Sequence, residues 1–193
     1  MEIENLLNIS TRQELREWLT DNSTKETSCW IPLSISPKPN LILGLDAVEE
    51  ALCFGWIDNS GKKTPDGILA GRFTPRRKNS SWTELNKERV RRLERLGLMT
   101  DEGRKCLPDM SESSFKIHPR VMQALKSNPG VYEKFLEFPE LYRRVRVDTI
   151  QSCLKKGKKQ EEVFEQRLNK LIENTQQGKM YGAWNDSGRL LEN

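Results

Sequence analysis

Apolar residues along this chain follow two rhythms: up to about position 105 helical spacing alternates with strand-like runs, and after His118 only helical spacing is left. Leu15, Trp18 and Leu19 recur at helical intervals behind Ser10 or Thr11, with Gln13 or Glu14 in the capping-box position, which predicts a helix to about Thr20. "SCWIPLSI" reads as a strand, and Pro32, lacking an N–H for a central ladder, predicts an edge position or a bulge there. Asp46 and Glu49 open a second helix with Leu45, Val48, Leu52 and Trp56 on one side, ending between Gly55 and Asp58. "DNSGKKTPDG" is then expected as a turn-rich connection. A second strand, "ILAGRFTPR", is stopped by Pro75, and "SSWTELNKERVRRLERLGL" is a helix capped by Ser80 or Ser81 and ended by Gly97.

Beyond an irregular stretch from Met99 to Ile117, Pro119, Pro129 and Pro139 each suit a first helical turn and delimit three helices, the last reaching about Leu154. "KKGKK" breaks the pattern, and a final amphipathic helix runs from about Gln160 to Gln176. The expected fold is therefore α+β: a small β-sheet with flanking helices over residues 1–105, a linker over 106–118 and a C-terminal helical module over 119–179. Residues 180–193 are Gly- and Asn-rich and are expected as a flexible tail, in which Tyr181 and Trp184 could dock.

Composition narrows the class. With 35% hydrophobic and 31% charged residues, and five Trp and six Phe to bury, the chain is a globular protein with a charged surface. The longest apolar run, "ALCFGWI", is far shorter than the roughly 18 residues a membrane helix needs, and the N-terminus lacks a secretion-signal pattern, so no membrane insertion and a cytoplasmic location are expected. Cys29, Cys53, Cys106 and Cys153 have no metal-ligand or disulfide spacing and are expected as buried free thiols; no metal and no cofactor are implied. His118, the single histidine, precedes Pro119 at a helix start, which disfavours a histidine-based triad. Basic and acidic residues number 6 and 10 over residues 1–65, 11 and 6 over 66–105, and 15 and 12 over 106–193, so the middle segment is electropositive and favours an anionic partner.

That middle segment carries the candidate chemistry. On the helix following Ser80, Trp82, Leu85, Val90, Leu93 and Leu96 fall within an arc of roughly 140° at about 100° per residue, and Asn86 and Arg89 fall inside the same arc. A guanidinium on an apolar face needs a carboxylate, backbone carbonyls or a ligand. Strand alternation sends Arg72, Thr74 and Arg76 to one side of the preceding strand, and Asp58 at the end of the second helix could orient one of these arginines. Arg72, Arg76, Asn86 and Arg89, with Thr74, Asp58 and Trp82 as a wall, thus form a candidate site for an anionic small molecule, a nucleotide or a phosphate. A purely structural clamp is the competing explanation for the same residues, and for Arg167 among Val163, Phe164 and Leu171. Two other functions stay open. A protein-interaction adaptor would use Arg91, Arg92 and Arg95 on the basic helix surface, and an enzyme would use Asp58 as acid or base. Nucleic acid is disfavoured, because the basic residues lack interleaved exposed aromatics.

"AVEEALCFGWID" followed by "RFTPRRKNSSWTELNKERVRRLERLGLMTDEG" resembles the bacterial YdeI/OmpD-associated, or bacteriocin-protection, family. The matching positions are Asp58, Arg72, Phe73, Thr74, Arg76, Ser80, Trp82, Asn86, Arg89 and Val90. Residues from about Pro119 to Lys179, with "PELYRR" and Arg167, resemble the helical module that usually follows in that family. The chain departs from the family at "SISPKP", where lysines are usual, and at "VRVDTIQSC", where an aromatic-rich helix is usual. The resemblance implies a bacterial protein linked to envelope stress and to bacteriocin or peptide tolerance, and it implies no established reaction.

Overall fold

The computed structural model describes residues 2–78, 80–155 and 158–191. The chain forms two compact units, residues 1–81 with 89–108 and residues 82–88 with 109–193. The first is built on a four-stranded sheet with helices and the second is helical, so the architecture is α+β.

The first unit opens with α1 (Arg12–Asn22), which starts where the capping box predicts. The Thr11 hydroxyl accepts from the Glu14 N–H, and the Glu14 carboxylate reaches back to the N–H groups of Ser10 and Thr11 at 2.7 and 3.0 Å. There follow β1 (Cys29–Ser34), β2 (Ile42–Leu43), α2 (Gly44–Cys53), β3 (Trp56–Lys63) and β4 (Leu69–Pro75), with sheet order β2-β1-β4-β3. β1 is antiparallel to β4 and β4 to β3, while β1 meets the short β2 in parallel. The unit is completed by the larger part of α3 (Glu84–Arg95) and by α4 (Asp101–Arg104). Its core gathers Leu15, Leu19, Ile31, Leu52, Trp56 and Phe73.

Two expectations for the sheet are corrected. β1 lies inside the sheet and not at its edge. Pro32 is tolerated because its ring nitrogen faces a gap: on that side Trp30 bonds to Asn5 and Leu7, and β2 begins to pair only at Leu33. The polar stretch after Asp58 is not a loop. β3 continues to Lys63 against β4, and the turn is confined to Thr64–Gly67, where the Gly67 N–H reaches the Thr64 carbonyl at 2.9 Å. An edge strand accepts Asn, Ser, Gly and Lys because one side of its ladder stays in water, and lysines there also discourage pairing with other chains. Gly55, at φ +74°, turns the chain from α2 into β3 within two residues, a conformation that disfavours any side chain.

α3 begins later than the serines predict. The Thr83 hydroxyl accepts from the Asn86 N–H at 3.2 Å and so caps it, and Gly97 ends it with the Leu98 N–H on the Leu93 carbonyl. Leu96 lies beyond the last turn and is 52% exposed, so it does not belong to the core-facing arc.

In the second unit, α5 (Pro119–Ser127), α6 (Val131–Glu137), α7 (Glu140–Gln151) and α8 (Lys158–Gln176) enclose a core that includes Val121, Leu125, Phe135, Val147, Phe164 and Leu171. His118 caps α5 through Nδ1, which accepts from the Arg120 N–H, and Pro119 takes the first helical position. Pro139 is the N-cap of α7. Lys156 and Gly157, the centre of the predicted break, lie outside the described residues, as do Glu192 and Asn193. Tyr181 and Trp184 both dock edge-on against the buried Tyr142, with ring centroids 6.4 and 5.6 Å away.

Candidate functional site

β4 and its antiparallel neighbours sort the predicted residues by face. In the β3–β4 register Ile57 stands opposite Thr74 and Asp58 opposite Phe73, and paired residues share a face. Arg72 stands opposite both Trp30 of β1 and Ser60 of β3. The register slips between Asp58 and Ser60, so Asn59 is an extra residue at a bulge, and its amide donates to the Thr74 hydroxyl. Arg72 and Thr74 therefore sit on one face, with Asn59 turned toward them.

On that face is an open cleft of about 630 Å³. Arg72 and Arg77 supply two guanidiniums, Thr27, Thr74, Ser80 and Ser81 supply hydroxyls, Asn59 supplies an amide, and no carboxylate is among the lining residues. Arg72 also acts on the neighbouring Cys29. Burial and Glu26 push that thiol up to about 12, and only the positive charge of Arg72 opposes them. Such a cleft offers diffuse positive charge together with neutral donors, the set that suits phosphate or carboxylate oxygens.

The other predicted site residues go elsewhere. Asp58 is exposed and faces a second cleft of about 300 Å³, on the Phe73 side, floored by Gly61 and Gly71. It does not orient Arg72. Arg76 is buried and lines neither cleft; its backbone N–H donates to Gly55 and its Nη1 to the Ser81 carbonyl at 3.3 Å. Burial lowers the pKa of its guanidinium, while Cys106 and Asp58 pull the other way. Arg89 is half-buried in the first unit; Trp82 and Asn86 are half-buried in the second. Arg167 is a clamp: Nη1 donates to the Thr149 carbonyl at 2.8 Å, closing the end of α7.

Two charged networks escape the linear sequence. In the first unit, Glu49 and Glu50 of α2 are fully buried; Arg12 reaches both, Arg16 holds Glu50 at 2.8 Å and Arg92 holds Glu49 at 3.2 Å. Burial pulls the Arg12 guanidinium down, but Glu50 and Glu49 outweigh it and its pKa ends up raised. Arg92 is thus an internal partner, not part of a solvated basic surface. The available signal was an acidic pair inside the apolar "AVEEALC", facing two arginines four apart on α1. In the second unit, Arg144 is buried among Glu88 and Glu112 at 2.9 Å, Glu140 at 3.4 Å and Glu84 at 3.7 Å. The buried side chains of the first turns of α3 are therefore the carboxylates of Glu84 and Glu88, which the helical spacing did not place on the core-facing arc.

No metal-ligating group of three or more His, Cys, Asp or Glu occurs among the described residues. Among them, no helix is long and apolar enough to cross a membrane. Residues 7–106 match a family model described as a domain of unknown function, DUF8412. Residues 114–178 match the family described as Bacteriocin-protection, YdeI or OmpD-Associated. The "ALCFGWID" and "RFTPR" blocks lie within the first match and "PELYRR" and Arg167 within the second. No curated protein and no solved structure matches the chain.

Proposed function

We propose, for a chain that belongs to the DUF8412 family and carries a module of the YdeI/OmpD-associated, bacteriocin-protection type, that its sheet unit is a binding module for a small phosphate-bearing anion. One observation carries this reading: Arg72 and Arg77 share a cleft of about 630 Å³ with four hydroxyl-bearing residues and no lining carboxylate. Arg72 and Arg77 form no ion pair among the described residues, whereas Arg12, Arg16 and Arg92 are matched by buried carboxylates. Thr74, held by the Asn59 amide, keeps a hydroxyl at the base of the cleft. Anion binding there would serve bacteriocin protection, the role named in the description of the C-terminal family.

The test is a thermal melt of the full chain with inorganic phosphate and with a nucleoside triphosphate at roughly a hundredfold over Kd, where mass action adds about 2.7 kcal/mol. A rise in Tm for the wild type that disappears in the Arg72→Met, Arg77→Met double variant is expected. An unchanged wild-type Tm with every anion tried would end this reading.

A further inference from the structure

The helical unit has a cleft of its own, of about 190 Å³, between the segment Glu112–Ile117, α6 and the start of α7. Phe115, Ile117, Tyr132 and Leu136 give it an apolar wall, and buried Phe135 closes the floor. Three charged groups at this cleft are incompletely used. Arg143 forms no ion pair with any described residue, and its Nε is out of water without a hydrogen-bond partner. Glu112 and Glu140 each touch Arg144 Nη1 through a single oxygen, and their side chains are 53% and 61% exposed.

We infer that this cleft binds a free α-amino acid with an apolar side chain, its carboxylate on Arg143 and its ammonium on Glu112 and Glu140. A plain anion would gain Arg143 but meet the carboxylates gathered around Arg144. A plain cation would gain the two glutamates but meet Arg143. A zwitterion answers both, and Arg143, with no ion pair among the described residues, is available to a carboxylate. The volume is below the roughly 300 Å³ at which drug-sized sites begin, and suits a single amino acid whose side chain lies against Phe115 and Tyr132.

Isothermal titration of the full chain with L-phenylalanine, L-leucine, 3-phenylpropionate and phenethylamine tests this. Saturable binding of at least one amino acid is expected, with both half-ligands weaker by roughly tenfold or more, the loss of one charge-assisted hydrogen bond. Arg143→Gln should weaken phenylalanine and tighten or leave unchanged phenethylamine, whereas Glu140→Gln should weaken phenylalanine and tighten or leave unchanged phenylpropionate. Because the half-ligands are compared on the wild type, the outcome survives a variant that folds poorly. No saturable binding of either amino acid, or a half-ligand that binds as tightly as phenylalanine, overturns the inference.

Discussion

Arg92 Nη1 lies 3.2 Å from Oε1 of Glu49, a carboxylate with no exposed side-chain surface, while Arg12 Nη1 takes the other oxygen at 2.6 Å. A helix arginine that looks like surface charge in the sequence is therefore a strut between α3 and α2. Removing it weakens a charge-assisted hydrogen bond to a buried anion, which costs about 1.5–3 kcal/mol. Arg92→Met should lower stability by that amount in a urea titration, and Arg95→Met, at an exposed position of the same helix, should leave it unchanged. Equal effects from the two variants would refute the strut.

The backbone of α4 lies tightly against the end of α2 at Gly103. A Cβ on Gly103 would stand 2.1 Å from the Cys53 carbonyl oxygen and 2.7 Å from its carbon, and that same oxygen already accepts from the Thr100 hydroxyl at 2.6 Å. Main chain cannot step aside as a flexible side chain can. Gly103→Ala is expected to destabilise by about 3 kcal/mol, the upper part of the usual overpacking range, with loss of the Thr100 bond. Chemical denaturation followed by circular dichroism reads this directly, and a change under about 1 kcal/mol would contradict it.

Acid should loosen α1 through its cap. Hydrogen bonds from the Ser10 and Thr11 N–H groups hold the Glu14 carboxyl below its ordinary 4.5. A folded pKa below the unfolded one means the contribution is complete above the ordinary value and fades as pH falls through the depressed one. Glu14→Gln keeps the shape of the cap without the titration. Its stability should fall less steeply than the wild type between roughly pH 5 and 3, although the lowered carboxyls of Glu94, beside Arg104, and Glu161, beside Arg120, will keep some acid sensitivity. Superimposable pH profiles for the two proteins would discount the cap.

The tail is a packing element. Trp184 is buried against Tyr142, and the Arg146 guanidinium donates to the Ala183 carbonyl at 2.9 Å. Truncating a buried Trp costs about 3–5 kcal/mol, and Trp184→Ala should in addition make the Lys179 bond an early site of trypsin cleavage. A wild-type digestion pattern from that variant would mean the tail is not held by its aromatics.

What the sequence determined by itself was local. Thr11 with Glu14, His118 with Pro119, and Gly97 each fix a helix end through bonds made within a few residues, so they could be read without a partner in view. The α+β character and the alternation that gathers Arg72 and Thr74 on one face belong to the same class, since the pleat depends only on the strand itself. Tertiary structure decided everything that needed a distant neighbour. The pairing of Asp58 with Phe73, and the bulge at Asn59, exist only because β4 lies alongside β3, and they send Asp58 to the face away from Arg72. Glu49 and Glu50 could be buried only where α1 and α3 bring three arginines to them, and Arg143 borders a cleft only because Glu112–Ile117 folds back onto α6 and α7. Hydrophobic periodicity reports which face of an element turns inward. It says nothing about which charge waits there, because the cost of burying an ion is settled by a partner from another part of the chain.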